Sequence, residues 1–412
     1  MIAGKHDRSG IALTWAERTV WLASALSANR TAYNAACIVA IEGEIDCARL
    51  RAAIRHAVRA GRLAALRITL DHGELTWEDQ AREADAFDLA LEEPCRAAGM
   101  ARLENIFRTD PIPADASPLI RVHMIETRAD QVLVMFRHHH VLLDFHGNAA
   151  LARNVAALYG GQAPDPSGVS RREIISAEKA YLASALYEED KCYWRARLEG
   201  MKANALWNAL GQQDAGGRFD LAVPAGEVAA FGASVHALGG TPFQALLLIV
   251  HAYLCGGRGD DLVFGVPFAN RQADRARALV SMSRIVPFRV NVAPGTPVRD
   301  ALANIRRALK EDLARARFAI WENADHLFGG PVNGALPKVA LNYMRASALR
   351  FGAATGAITK VLYGERNAEI YIRCIEEADG RLSISIDDAD DQGRAESLGH
   401  AVHAGIANWL RG

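Results

Sequence analysis

The sequence predicts an α/β (α+β) chain built as two comparable lobes. Strand-like and helix-like segments alternate along its 412 residues, and 50% hydrophobic content supplies a large core. A turn-rich divider, GGQAPDPSGVS at 160–170, separates two similar sets of elements. The division is placed at about residue 175, giving an N-terminal lobe over 1–175 and a C-terminal lobe over 176–412.

Each element has its own reason. Thr19 to Ala28 is apolar but follows Asp7 and Glu17 rather than a basic leader, so it reads as an amphipathic helix and not a signal peptide. ARLRAAIRHAVRAG predicts a helix ending at Gly61, followed by strands ALRITL and ELTWED about a DHG turn. LIRVHMIET and QVLVMFR form a hairpin around RAD. In HGNAALARNVAALYGG, Leu151, Val155, Leu158 and Tyr159 recur at helical spacing, and Gly160 ends the helix. A charged helical stretch, RREIISAEKAYLASALYEEDKCYW, leads into the second half. There TPFQALLLIVHAYLC reads as a buried helix, DLVFGVPF and RIVPFRVNV as strands and VRDALANIRRALKEDLARA as a helix. KVALNYM, EIYIRCIE and RLSISIDDA complete it as strands.

Composition excludes several classes. The 47 Lys+Arg and 48 Asp+Glu nearly cancel, so no global field draws a polyanion and nucleic acid is not an expected partner. Neither Thr19 to Ala28 nor the second apolar window, Phe243 to Leu254, which His251 interrupts, reaches the roughly 18 to 20 residues of a membrane span, and a soluble cytoplasmic protein is expected. Six cysteines without a C-x-x-C pair read as reduced, mostly buried thiols. There is no P-loop, dinucleotide fingerprint or G-x-S-x-G elbow. Arg258-Gly259-Asp260 reads as a turn rather than an adhesion signal.

The stretch FRHHHVLLDFHGNAA (136–150) stands between a strand and a helix, where rigid elements hold an exposed turn. Three readings are open for it. His138, His139, His140, Asp144 and His146 are zinc-ligand types, but neighbouring strand residues point to opposite faces and no H-E-x-x-H occurs, so no metal is expected. One histidine, oriented by its surroundings, is suited to general base work near neutral pH. The bland reading is a set of satisfied polar groups at a strand end.

His139-His140-x-x-x-Asp144 resembles the H-H-x-x-x-D-G signature of the condensation domains of nonribosomal peptide synthetases and their free-standing acyltransferase relatives, which share the chloramphenicol acetyltransferase fold. Further segments are similar to the family in the same order, from about residue 11 to 410: LTWAERTVWL, AYNAACIVAIEGEIDCARLRAAI, RLAALRITL with Arg62, Leu66 and Arg67, SPLIRVHMI, YWRARLEG, GDDLVFGVPFANR with Gly265, Pro267 and Arg271, IVPFRV and LNYM.

The resemblance implies a two-lobed pseudodimer of chloramphenicol acetyltransferase-like sandwiches around a central tunnel. It implies transfer of an acyl or aminoacyl group from the 4'-phosphopantetheine of an acyl or peptidyl carrier protein to a small-molecule or carrier-bound amine or hydroxyl, without a bound cofactor. His140 is then the catalytic residue. His139, Asp144, Arg67 and Phe145 support the motif, with Asp144 paired to Arg67. Gly265, Pro267, Arg271, Arg284 and Asn342 are expected at the tunnel or substrate. A monomer that meets its carrier protein in trans is expected. Three departures qualify this: Phe145 replaces the motif glycine, Arg284 stands about where an asparagine is expected, and Leu63-Ala64 replaces His-Glu. They keep open a second reading, a catalytically inactive domain that recruits a carrier protein or tailoring enzyme.

Overall fold

In the computed structural model the described residues are 10–27, 32–71, 73–80, 86–127, 131–164, 169–201, 206–207, 216–271, 275–321, 323, 327, 336–364, 368–389 and 393–410. The RAD turn (128–130), His72 of the DHG turn and 165–168 of the divider lie outside them. The chain forms two compact units. The first comprises Met1–Ser184, Arg271–Met282 and Ala348–Glu365, and the second the remainder. Relative to a cut at about 175, the first unit runs further and takes in two later segments. The reason for one of them is strand pairing, described next.

In order, the first unit contains β1 (Ile11–Ala12), α1 (Trp15–Leu26), β2 (Asn34–Glu42), α2 (Cys47–Ala60), β3 (Leu66–Asp71), β4 (Glu74–Asp79), β5 (Phe87–Glu93), α3 (Arg96–Thr109), β6 (Ile120–Thr127), β7 (Gln131–His139), α4 (Phe145–Tyr159) and α5 (Arg171–Leu182). The second unit begins with α6 (Ala185–Leu198), β8 (Leu206–Trp207), β9 (Gly217–Val223), α7 (Ala225–Ala237), α8 (Pro242–Leu254), β10 (Leu262–Phe268), β11 (Arg284–Val290), α9 (Val298–Ala314), β12 (Leu336–Pro337) and β13 (Val339–Arg345). The chain then gives β14 (Ala348–Phe351) and β15 (Ala354–Tyr363) to the first unit, and β16 (Ile370–Glu376), β17 (Leu382–Asp388) and α10 (Arg394–Trp409) to the second.

The sheet of the first unit has the order β14-β15-β2-β7-β6-β5. β15 lies antiparallel to β2, with Leu362 opposite Ala36, and this ladder draws a late segment into the first unit. Alternation along the strands sorts side chains onto two faces. Ala36, Ile38 and Ala40 of β2 and Leu133 and Met135 of β7 pack with Leu103 and Phe107 of α3. Val39, Ile41, Val134 and Phe136 turn the other way and line a small gap with Leu50 of α2 and Ala152 and Val155 of α4.

The second unit has the order β11-β10-β13-β16-β17-β9. One face of its sheet, with Phe264, Leu341, Ile372 and Ile384, packs against Phe231 of α7, Leu246 and Val250 of α8, Leu302 of α9 and Val402 of α10. His251 of α8, which interrupts that apolar run, is buried with its Nε2 2.8 Å from the carbonyl of Asp260. Among the described residues no single helix is long and apolar enough to cross a membrane.

The charged stretch after the divider is helical, as expected, and forms two helices, α5 and α6, with a turn at Ala183 and Ser184, where Ser184 N–H bonds the carbonyl of Tyr181. One expectation is corrected here. The cysteines are free, but only Cys37, Cys255 and Cys374 are buried; Cys95 and Cys192 are exposed.

Candidate active site

The strand period explains why three adjacent histidines take three different environments. His138 continues the face of Val134 and Phe136 and meets α4, whereas His139 points to the opposite face and meets α1. β7 ends at His139, so His140 is released into the following turn.

His138 is fully buried, with Nδ1 2.9 Å from the carbonyl of His139 and Nε2 2.9 Å from the side-chain nitrogen of Asn148. A carbonyl only accepts and an amide N–H only donates, so this ring carries its proton on Nδ1. Asn148 spends its second N–H on the carbonyl of Asp144, at 3.0 Å. His139 is equally buried, but its Nδ1 accepts from the Val141 N–H at 3.2 Å, which places its proton on Nε2, 3.0 Å from Ser24 Oγ. Burial disfavours the charged form of each ring, lowering His138 to about 4 and His139, with its neighbouring imidazoles, to about 3. Both are neutral scaffold residues near pH 7.

His140 alone of the three is partly exposed. Its N–H reaches the carbonyl of Tyr33 at 2.6 Å, and Tyr33 itself holds a left-handed φ of 61°. Such a conformation is unfavourable for a bulky residue and marks a position held by its surroundings. The His140 ring stacks on Tyr363, with centroids 5.8 Å apart and planes 27° apart, and its Nδ1 lies 3.5 Å from Ser281 Oγ.

Asp144 is the N-cap of α4, and its Oδ1 accepts the Gly147 N–H at 2.8 Å. Arg271 Nη2 lies 2.7 Å from the same carboxylate, and the Met282 N–H bonds its other oxygen at 2.9 Å. Burial works to raise this carboxyl's pKa, but the guanidinium and the two backbone donors overcome it and hold it below the usual range. Arg271 also donates to the carbonyls of Arg275, Ala278 and Val280, so one guanidinium shapes the whole segment 275–282.

The expected Asp144–Arg67 pair is therefore corrected. Arg67 on β3 bonds Glu78 across the β4 ladder at 2.7 Å and is exposed, because its strand register sets it opposite that glutamate. Arg271, expected at the substrate, is the true partner; with a side chain 3% exposed and four acceptors, it serves structure.

Phe145 does not disturb the turn. It is the first residue of α4 and is buried, and its φ is not left-handed, so no glycine is required there. The tight place is Gly147, where a Cβ would come 3.0 Å from Leu143 Cδ2 and 3.4 Å from the Val280 carbonyl.

The remaining expected residues belong to the second unit. Gly265 and Asn342 alternate with the core-facing Phe264 and Leu341, so they share the sheet face away from the helices, as does Pro267. A Cβ on Gly265 would come 3.1 Å from Ile285. Arg284 opens β11, with Nη1 3.5 Å from the carbonyl of Arg317.

Sequence reasoning missed Ser24, Tyr33, Ser281 and Tyr363, which only long-range pairing brings to the histidines. Asn148 carried a signal, one helical turn after Asp144.

Fold and site define an α/β protein whose H-H-x-x-x-D turn presents a single accessible imidazole. The chain belongs to the Condensation domain family, whose sequence model matches residues 8–319. It is 26% identical over 331 residues to phosphinothricin tripeptide synthetase PhsC of Streptomyces viridochromogenes, covering 75% of this chain and 30% of that protein. It is 25% identical over 333 residues to isonitrile lipopeptide synthase of Streptomyces coeruleorubidus, covering 74% of this chain and 21% of that one. It thus spans less than about a third of these curated relatives. The solved first condensation domain of the CDA synthetase superposes with a TM-score of 0.81 at 21% identity, covering 98% of this chain and 96% of that one. That likeness shows the condensation-domain fold, with helices and one large mixed sheet in each unit.

Proposed function

We propose that this chain is an acyltransferase. It joins an acyl or aminoacyl donor, held as the phosphopantetheine thioester of a carrier protein in trans, to an amine or hydroxyl acceptor, giving an amide or an ester. The observation that carries this reading is the sorting of the three histidines: two are buried and neutral, while His140 is the one open to a reactant.

Its role depends on the acceptor. A hydroxyl is hardly ionised at neutral pH and needs a base as it attacks. An amine of pKa about 8 is already partly neutral, so His140 serves by positioning it and stabilising charge on the tetrahedral intermediate. The intact cap around Asp144 supports activity over the recruiter reading, because Phe145 leaves the turn geometry unbroken. Gly265, Pro267 and Asn342 are proposed as substrate-facing from their shared sheet face.

Intact-protein mass spectrometry of an acyl-loaded carrier protein, with this chain and a panel of amines and alcohols, tests the reading. Unloading that depends on the acceptor and is lost in His140→Ala is expected. A carrier that binds and stays loaded throughout would replace this reading with the recruiter.

A further inference from the structure

Ser281 is fully buried, and its hydroxyl has one hydrogen-bond partner among the described residues, His140 Nδ1. The flanking peptide groups fix its place: the Val280 carbonyl accepts from Arg271 and the Met282 N–H donates to Asp144. The buried ion pair therefore reaches the accessible histidine through this serine.

A neutral imidazole carries one proton, and the partner of one nitrogen decides the state of the other. If Ser281 accepted from Nδ1–H, its own buried O–H would be left without an acceptor, which is the costly arrangement. If it donates to Nδ1, the hydroxyl is satisfied and the ring proton sits on Nε2. We propose that Ser281 holds His140 as the Nε2–H tautomer, making the site a donor to a developing oxyanion and selecting an amine over a hydroxyl acceptor.

This rests on the acyltransfer reading. In the step, the amine lone pair attacks the thioester carbonyl carbon, a C–N bond forms, and the resulting oxyanion accepts from Nε2–H. Collapse restores the carbonyl and breaks the C–S bond. The thiolate leaves and takes up, directly or through water, the proton that nitrogen loses, so the products are an amide and a thiol. An alcohol must surrender its proton as it attacks, and a protonated Nε2 has no lone pair to receive it.

The test uses the full chain labelled with ¹⁵N-histidine. Long-range ¹H–¹⁵N correlation near neutral pH, assigned with His140→Ala, is expected to show an unprotonated Nδ1 and a protonated Nε2 at His140. Ser281→Ala should populate both tautomers and Ser281→Thr should restore the first. A protonated Nδ1 in the wild type, or no change in Ser281→Ala, overturns the assignment without any reference to activity. In transfer assays with amine and alcohol acceptors of one carbon skeleton, Ser281→Ala should raise alcohol transfer relative to amine transfer by about tenfold, part of the span typical of a general base. An unchanged ratio overturns the selection. The expected tautomers with no transfer to any acceptor would uphold the role of Ser281 and overturn the acyltransfer reading instead.

Discussion

Asp144 and Arg271, 127 residues apart in sequence, meet at 2.7 Å with side chains 1% and 3% exposed. Removing one member of such a buried pair leaves an uncompensated charge, at a cost of about 3 to 5 kcal/mol. Asp144→Ala and Arg271→Ala should each lose stability in that range by urea denaturation. The double variant should lose less than the sum, because neither charge remains. Arg67→Ala breaks only an exposed cross-strand pair with Glu78 and should cost under about 1 kcal/mol. A larger loss from Arg67→Ala than from Arg271→Ala would reverse the assignment.

What the sequence disclosed and what it withheld follow one physical line. Local signals were readable: the α2 stop at Gly61, the α4 stop at Gly160, and the β7 alternation that keeps three histidines from converging. Elements without such signals were not read. α3 has no side-chain N-cap bond and contains Gly99, and β15 is interrupted by Gly356 and a register shift. The partner of Asp144 is hidden from the sequence for a related reason. Nothing local distinguishes Arg67 from Arg271; what separates them is the β3–β4 register, which commits Arg67 to Glu78.

The buried histidines link stability to pH. His138 drops from 6.5 to about 4 and His139 from 6.5 to about 3 on folding, mainly through burial. The unfolded chain thus takes up these protons as pH falls below about 6.5, while the folded chain refuses them until far lower. The contribution of each neutral ring is fully present above about 6.5 and is lost as pH falls toward its folded value. Between about pH 6 and 5 each should remove about 1.4 kcal/mol of stability per pH unit. Urea midpoints against pH, compared with His138→Gln, should show one proton less in the variant's slope. An identical slope would mean that His138 titrates alike in both states.

The two motif histidines should separate fold from turnover. His140→Ala removes a partly exposed ring but strands the buried Ser281 hydroxyl, so it should cost about 1 to 2 kcal/mol and leave the protein folded, while acyl transfer falls by about 10²-fold or more. His139→Ala empties a buried site and strips a partner from the Val141 N–H and Ser24. It should cost about 2 to 4 kcal/mol. Circular dichroism melts with parallel turnover assays would expose the opposite pattern.

Restoring the family's glycine should harm this protein. Phe145 is buried at the head of α4, its ring edge-on to His146 at 5.6 Å. Phe145→Gly removes that buried surface and adds backbone freedom at a helical position, and should cost about 3 to 5 kcal/mol. Gly147→Ala acts at the opposite extreme. Its added methyl must displace Leu143 from 3.0 Å and presses toward the Val280 carbonyl, beside the Gly147 N–H that the Asp144 carboxylate caps. It should destabilise by about 1 to 3 kcal/mol through overpacking. The close approach that a glycine serves in this turn lies at 147, and equal or greater tolerance of Phe145→Gly than of Gly147→Ala in urea midpoints would move it back to 145.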